Sequence, residues 1–134
     1  MGRPLSWLKV AARLSAFHIE PDGSLSHHRA WAQFEDFGDY GATAGQITPD
    51  GICLDADQAV WVASPNTRDV LRVKEGAEIT FRLPLSTIPL ACMLGGDGRR
   101  TLFIATTESL DPTDRQARGR IETIQVDVAG AGLP

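Results

Sequence analysis

Apolar and polar residues alternate in short runs along most of this chain, and Gly (13 in all) and Pro (8) separate the runs. Period-two alternation rich in β-branched and aromatic residues predicts half-buried strands, and these runs are too short for helices. Only the first ten residues have a briefly helical pattern. The sequence therefore predicts an all-β fold with strands at Leu14–Ile19, Ser24–Trp31, Gly51–Asp55, Val60–Ala63, Val70–Val73, Glu78–Leu83, Ala91–Gly95, Thr101–Thr106 and Ile121–Val126.

The predicted strands repeat with a period of about 40 residues, which is typical of the four-stranded blades of a β-propeller. Asp50–Leu54 followed by Val60–Ala63 aligns with Leu90–Leu94 followed by Leu102–Ala105. A chain of 134 residues holds about three such units, whereas propellers close with roughly four to eight blades. The later strands also align with one another, at Leu14–Ile19, Val70–Val73 and Ile121–Val126.

These counts predict a partial propeller in two segments. Residues 13–134 form about half of a ring, which starts at the third strand of its first unit, and residues 1–12 do not match the repeat. An unclosed ring leaves strand edges and apolar surface bare. We therefore expect either self-association or a separate amino-terminal half as partner.

Composition narrows the function classes. The chain is 43% hydrophobic and 22% charged, as expected of one globular domain, and a net charge of −4 argues against nucleic-acid binding. No run approaches the roughly 18 to 20 apolar residues that span a bilayer, and residues 1–10 are too short and too broken for a secretory signal, so we expect a cytoplasmic protein without membrane contact. Cys53 and Cys92 lie in apolar runs and are predicted to be buried thiols.

The candidate functional residue is Asp50, in the Pro49-Asp50-Gly51 turn between two strand-like runs. Proline and glycine favour a tight bend, which presents the intervening carboxylate at its tip. The same tripeptide at Pro21-Asp22-Gly23 is predicted to be an ordinary hairpin turn. A turn without further function and a metal ligand are thus both open interpretations of Asp50.

Several segments resemble the senescence marker protein 30, gluconolactonase and luciferin-regenerating-enzyme-like family of six-bladed propellers. The resemblance covers about 120 residues and corresponds to the carboxy-terminal half of a family member. It is carried by Leu14–Trp31, Pro49–Ala63, Val70–Leu85, Cys92–Ala105 and Gly119–Ile121.

The resemblance implies a metal-dependent hydrolase of sugar lactones. Family members hold a divalent cation (calcium, zinc or manganese) with one Glu, two Asn and one Asp from a Pro-Asp-Gly turn. Only the Asp is matched here, so the resemblance implies that Asp50 is a metal ligand and a candidate general base. The sole Asn, Asn66, matches neither ligand Asn motif and is predicted to be a turn former. We therefore expect this chain alone to be weakly active or inactive.

Other candidates are read as structural. Adjacent His27 and His28 would point to opposite faces of a strand, and His18 is predicted to be structural or solvent-facing. Trp61 and Phe103 occupy matching repeat positions and are predicted to lie in blade cores. Phe34–Tyr40 and Asp111–Arg118 are predicted surface loops, and Gly95–Gly98 a hairpin turn.

Three functions remain open. The chain is a truncated lactonase-like protein with little activity alone, a working subunit that completes a lactone-hydrolysing ring by oligomerisation or with a separate amino-terminal half, or a non-enzymatic half propeller that binds another protein. The last of these predicts no consequence of Asp50→Ala.

Overall fold

A computed structural model describes residues 12–34 and 45–132, and the described part is all-β. Each of the nine predicted strands is found, with ends displaced by no more than three residues. The briefly helical pattern of the first ten residues lies outside the described part. The strands are β1 (Arg13–Ile19), β2 (Leu25–Gln33), β3 (Ile52–Leu54), β4 (Val60–Ser64), β5 (Asp69–Lys74), β6 (Glu78–Pro84), β7 (Ile88–Gly95), β8 (Thr101–Thr107) and β9 (Gly119–Gln125).

The strands form three antiparallel sheets in chain order. The first sheet pairs β1 with β2, the second has the order β3-β4-β5-β6, and the third has the order β7-β8-β9. Sequential pairing of neighbours is the up-and-down arrangement of a propeller blade. The sequence repeat is reproduced, because β3 and β7 begin their sheets and β4 and β8 follow them.

Two apolar clusters hold the three sheets together. The first lies between the first and second sheets, and the second lies between the second and third sheets. Because strand side chains alternate between faces, Val62 joins the first cluster and its neighbour Trp61 joins the second. The second sheet is thus covered on both faces.

A buried ion pair in the second sheet joins Asp55, which follows β3, to Arg72 on β5. Asp55 is fully buried, and its carboxylate accepts hydrogen bonds from Arg72 Nε at 2.7 Å and Trp61 Nε1 at 3.1 Å. Its other oxygen accepts the backbone N–H groups of Asp57 and Ala59 at 3.0 and 3.1 Å. A buried carboxylate is tolerated only with such partners, so this cluster fixes the β3–β4 turn against β5.

The connections agree with the predicted turns. A 3-10 turn at Asp97–Arg99 joins β7 to β8, and Asp111–Arg118 forms a largely exposed loop before β9. Among the described residues, no helix is long and apolar enough to cross a membrane.

Candidate metal ligand and its surroundings

Asp50 lies in the segment that leads into β3 and is exposed to solvent. Its backbone N–H donates to the carbonyl of Ala63 at 2.9 Å, and the Ala63 N–H donates to the carbonyl of Gly51 at 3.0 Å. These bonds extend the β3–β4 pairing past the end of β3. Asp50 is therefore held at the rim of the second sheet, where β3 begins and β4 ends.

Gly51 holds this segment against the third sheet. Its N–H donates to the carbonyl of Leu90 at 2.8 Å, and a Cβ built on Gly51 would lie 2.4 Å from the Cα of Ala91. Only glycine lets the two backbones approach this closely. Asp50 is thus held between two sheets on a segment that continues the β3–β4 pairing, so the prediction of a tight turn at Pro49-Asp50-Gly51 is wrong, whereas Pro21-Asp22-Gly23 closes an ordinary hairpin as predicted.

Asn66 stabilises the segment that precedes Asp50. Its side-chain Nδ2 donates to the carbonyl of Gln46 at 2.9 Å, and its backbone N–H donates to Thr48 Oγ1 at 3.1 Å. The Thr48 N–H in turn donates to the buried Ser64 hydroxyl at 3.0 Å. The structure thus gives Asn66 contacts that fit the predicted turn-forming role.

A second polar cluster, Glu122 with Thr87 and Thr106, lies on the third sheet where β7 begins and β8 ends. Glu122 Oε2 accepts hydrogen bonds from Thr87 Oγ1 at 2.5 Å and Thr106 Oγ1 at 2.8 Å. These two hydroxyl groups, with a smaller contribution from Arg120, hold the pKa of Glu122 below its ordinary value. The carboxylate is therefore ionised and already hydrogen-bonded at neutral pH.

The described residues around Asp50 do not by themselves make a metal site. Among them, the group of three or more His, Cys, Asp or Glu side chains close enough to share an ion is His18, Glu20 and His27, on the first sheet. A divalent cation with oxygen ligands needs about six donors. Asp50 is an oxygen donor that suits such a cation but belongs to no such group, so these side chains do not complete a cation site around it.

Two cavities of about 490 and 250 Å³ lie among the described residues, and Asp50 lines neither of them. The larger lies along the exposed side chains of Ile52, Leu54 and Met93. The smaller lies beside Trp61 and Arg72.

The two cysteines are buried, as predicted. They lie on β3 and β7, with their sulfur atoms 4.0 Å apart. The contact with Cys53 and burial both raise the pKa of the Cys92 thiol. This is the environment of an unreactive thiol.

The matching positions of Trp61 and Phe103 differ in burial. Trp61 is 3% exposed because the third sheet packs against its face, whereas Phe103 is 39% exposed. Register places Met93 opposite Phe103, on the same uncovered face, and Met93 is 48% exposed. The prediction that both aromatic residues lie in blade cores is right for Trp61 and wrong for Phe103, since no described residue covers that face.

The other residues singled out in the sequence lie partly inside and partly outside the described ranges. Phe34 is buried in the first apolar cluster, and the rest of the Phe34–Tyr40 segment lies outside the described residues. His18, His27 and His28 are exposed on the first sheet. Pattern reasoning did not predict that Glu20 and the two histidines His18 and His27 come together.

Comparisons with known proteins agree with this fold. Residues 9–108 match the family model for the SMP-30/gluconolactonase/LRE-like region. A solved structure of luciferin-regenerating enzyme is similar with a TM-score of 0.68 and 15% sequence identity, over 90% of this chain and 40% of that chain. No curated protein matches.

The chain thus spans 40% of the length of the luciferin-regenerating enzyme structure that it matches. The likeness at 15% identity concerns the fold and confirms part of a six-bladed propeller. Because the family model matches 100 of the 134 residues, the chain belongs to the SMP-30/gluconolactonase/LRE-like family.

Proposed function

We propose that this chain is part of a divalent-metal-dependent hydrolase of sugar lactones, to which it contributes Asp50 as one metal ligand and as general base. By itself it has little or no such activity. The observation that supports the role of Asp50 is its place at the rim of the second sheet, where its exposed side chain lies on a segment held between two sheets. Family membership supports the reaction class.

The backbone of Asp50 and Gly51 is fixed by the bonds to Ala63 and Leu90. Among the described residues, none donates a hydrogen bond to the Asp50 carboxylate, which is exposed. A bound divalent cation would polarise the lactone carbonyl and acidify a water molecule. With such a cation held, the Asp50 carboxylate would accept a proton from the attacking water as its oxygen bonds to the carbonyl carbon, and would return that proton to the ring oxygen as the lactone C–O bond breaks.

The expected weakness of the isolated chain follows from the donor count. One carboxylate at an exposed site does not hold a cation against exchange with solvent, because Ca²⁺ takes about six to eight oxygen ligands. Within residues 12–34 and 45–132, Asp50 belongs to no group of three or more acidic, histidine or cysteine side chains that could share an ion. In this proposal the remaining ligands come from another chain.

The test is hydrolysis of simple sugar lactones by the purified chain, with Ca²⁺ or Mn²⁺ added and with a chelator control. We expect hydrolysis by the wild-type chain to be no faster than the spontaneous reaction. If the chain becomes active when it associates with itself or with another chain, that activity should be lost in Asp50→Asn and kept in Asp22→Asn. Asp22 is the matched control because it occupies the other Pro-Asp-Gly tripeptide. Metal-dependent turnover that survives in Asp50→Asn would contradict the proposal.

A second candidate function is that of a subunit completed by self-association. It is favoured by the uncovered face of the third sheet, where Met93, Phe103 and Ile121 are 48%, 39% and 67% exposed. The corresponding face of the second sheet, around Trp61, is covered by a neighbouring sheet. We propose that a second copy of this chain covers the face of the third sheet in solution.

Molecular mass in solution distinguishes the two candidates. A dimer whose mass returns to that of a monomer in Phe103→Glu, and whose lactone hydrolysis depends on Asp50, would support a completed ring. A monomer at all concentrations would contradict self-association and leave the first proposal in place. A dimer without hydrolysis would favour a binding function of the half propeller.

A further inference from the structure

Three potential metal ligands meet near the end of the first hairpin. The ligand atoms of His18, Glu20 and His27 all lie within 4.8 Å of one another. His27 Nδ1 is 3.9 Å from Glu20 Oε1, and the imidazole centroids of His18 and His27 are 5.9 Å apart. These are two imidazoles and one carboxylate, a donor set that zinc takes in proteins.

A β-bulge brings the two histidines together. Ala16 pairs with Arg29, but His18 pairs with Ser26, so β2 has one extra residue in this interval. His27 adopts a left-handed backbone conformation with φ of 48°, which histidine adopts more readily than most residues. The bulge re-aims the His27 side chain toward His18 and Glu20.

The same bulge sends His28 to the other face. Its ring stacks on Phe17 with centroids 4.8 Å apart, and its Nε2 lies 3.0 Å from Ser15 Oγ. The prediction that adjacent histidines use opposite faces is therefore confirmed. His28 lies beside the candidate site without contributing to it and provides an internal control.

The hairpin turn and a neighbouring hydroxyl fix Glu20. The Glu20 N–H donates to the carbonyl of Ser24 and the Gly23 N–H donates to the carbonyl of Glu20, both at 2.9 Å. The Ser26 hydroxyl donates to Glu20 Oε1, and its oxygen also lies 2.8 Å from His27 Nδ1. Among the described residues, none donates to Glu20 Oε2. Such an outer hydrogen bond orients a ligating carboxylate.

We propose that His18, Glu20 and His27 bind a zinc ion in a site separate from Asp50. Zinc bonds of about 2.0 to 2.1 Å in tetrahedral geometry place ligand atoms about 3.3 Å apart. The two imidazoles can rotate to shorten the present separations, because His18 and His27 are exposed, while Glu20 is half-buried. Three protein ligands leave the fourth position to water.

Zinc at this site would link β1 to β2 near the hairpin turn. It binds the folded hairpin and not the unfolded chain, so it stabilises the fold by mass action. Imidazole ligands bind zinc in preference to calcium. An isolated exposed carboxylate such as Asp50 gives zinc no such preference. The zinc site and the proposed function can therefore fail independently.

The test is calorimetric titration of the untagged full chain with Zn²⁺, alongside His18→Ala, His27→Ala, His28→Ala and Asp50→Asn. We expect one zinc ion per chain, with a Kd on the order of micromolar for an exposed three-ligand site. His18→Ala and His27→Ala should each weaken binding at least about tenfold, whereas His28→Ala and Asp50→Asn should change the Kd less than about twofold.

A structural measurement complements the titration. Zinc should shift the imidazole NMR resonances of His18 and His27 and leave those of His28 unchanged, and it should raise the melting temperature by about 10 °C near 100-fold excess over Kd. Failure of wild type to bind below about 100 μM would overturn the proposal, as would an equal loss of binding in His28→Ala.

Discussion

Removal of the guanidinium of Arg72 should destabilise the fold strongly. Arg72 Nε lies 2.7 Å from Asp55 Oδ2, and the side chains of Asp55 and Arg72 are 0% and 13% exposed. In Arg72→Met the buried Asp55 carboxylate keeps the hydrogen bonds from Trp61, Asp57 and Ala59. It loses the positive charge of the guanidinium group. Breaking one partner of a buried ion pair costs about 3–5 kcal/mol, a large part of the typical 5–15 kcal/mol that stabilises a domain.

Arg82→Met is the matched control. Arg82 Nε lies 2.8 Å from Asp69 Oδ2, but the Arg82 side chain is 50% exposed, so water screens the pair. Asp69 also accepts a hydrogen bond from the Thr67 hydroxyl at 2.5 Å. Asp69 is buried, but water reaches the half-exposed guanidinium, so loss of this pair should cost less than loss of the Arg72 pair, on the order of 1 kcal/mol.

The two variants can be compared by urea unfolding, followed by tryptophan fluorescence. Trp61 reports directly on the Asp55 cluster because its Nε1 donates to Asp55 Oδ2. We expect the free energy of unfolding to fall several times more in Arg72→Met than in Arg82→Met. Equal losses, or a loss below about 1 kcal/mol in Arg72→Met, would refute the reasoning that Asp55 depends on its buried partner.

Three further predictions concern the sheets. Gly51→Ala should cost about 1–3 kcal/mol, because its Cβ would lie 2.4 Å from Ala91 Cα; Gly119→Ala has an open site, with 3.5 Å to the nearest atom, and should leave urea unfolding nearly unchanged. Phe103→Glu should raise the second virial coefficient measured by light scattering, because it places charge on an apolar face; an unchanged coefficient would contradict self-association through that face. Glu122→Gln should flatten the acid limb of the stability curve: hydrogen bonds lower the folded pKa of Glu122, so its contribution is present above the unfolded pKa near 4.3 and lost as pH falls through the folded value, and an unchanged limb would contradict this.

The strands were predictable because alternation and turn residues are local signals. Runs such as Val60–Ala63 and Thr101–Thr106 need no knowledge of their partners to be recognised as strands. Their spacing also predicted the repeat, and the order of the three sheets follows that repeat. The tight turn predicted at Asp50 is not found, because Asp50 and Gly51 continue the β3–β4 pairing by bonding to Ala63. The close approach of Gly51 to Ala91 was not predicted either, since it joins different sheets.

Burial on the third sheet could not be predicted from the repeat. Trp61 and Phe103 have the same place in their units, and a repeat assigns them the same environment. The environment depends on whether another sheet packs on that face, as one does for Trp61. Sequence position within a unit does not contain this information.

The Asp55 and His27 clusters depend on pairing geometry. Asp55 is followed by Ala56, Asp57 and Gln58, a composition typical of an exposed turn, and its partner Arg72 is 17 positions away. His27 approaches His18 through a bulge, whereas alternation assumes one residue opposite another. Both clusters require the strand register, which local patterns do not specify.

Calcium titration is the most direct test of the central claim, that Asp50 is one ligand of a site that these 134 residues do not complete alone. Ca²⁺ suits the oxygen donors of such a site and not the imidazoles of the first hairpin. The account predicts that wild type and Asp50→Asn both bind Ca²⁺ more weakly than about 1 mM. Micromolar binding by wild type that is lost in Asp50→Asn would contradict it, because the chain alone would then hold a complete site.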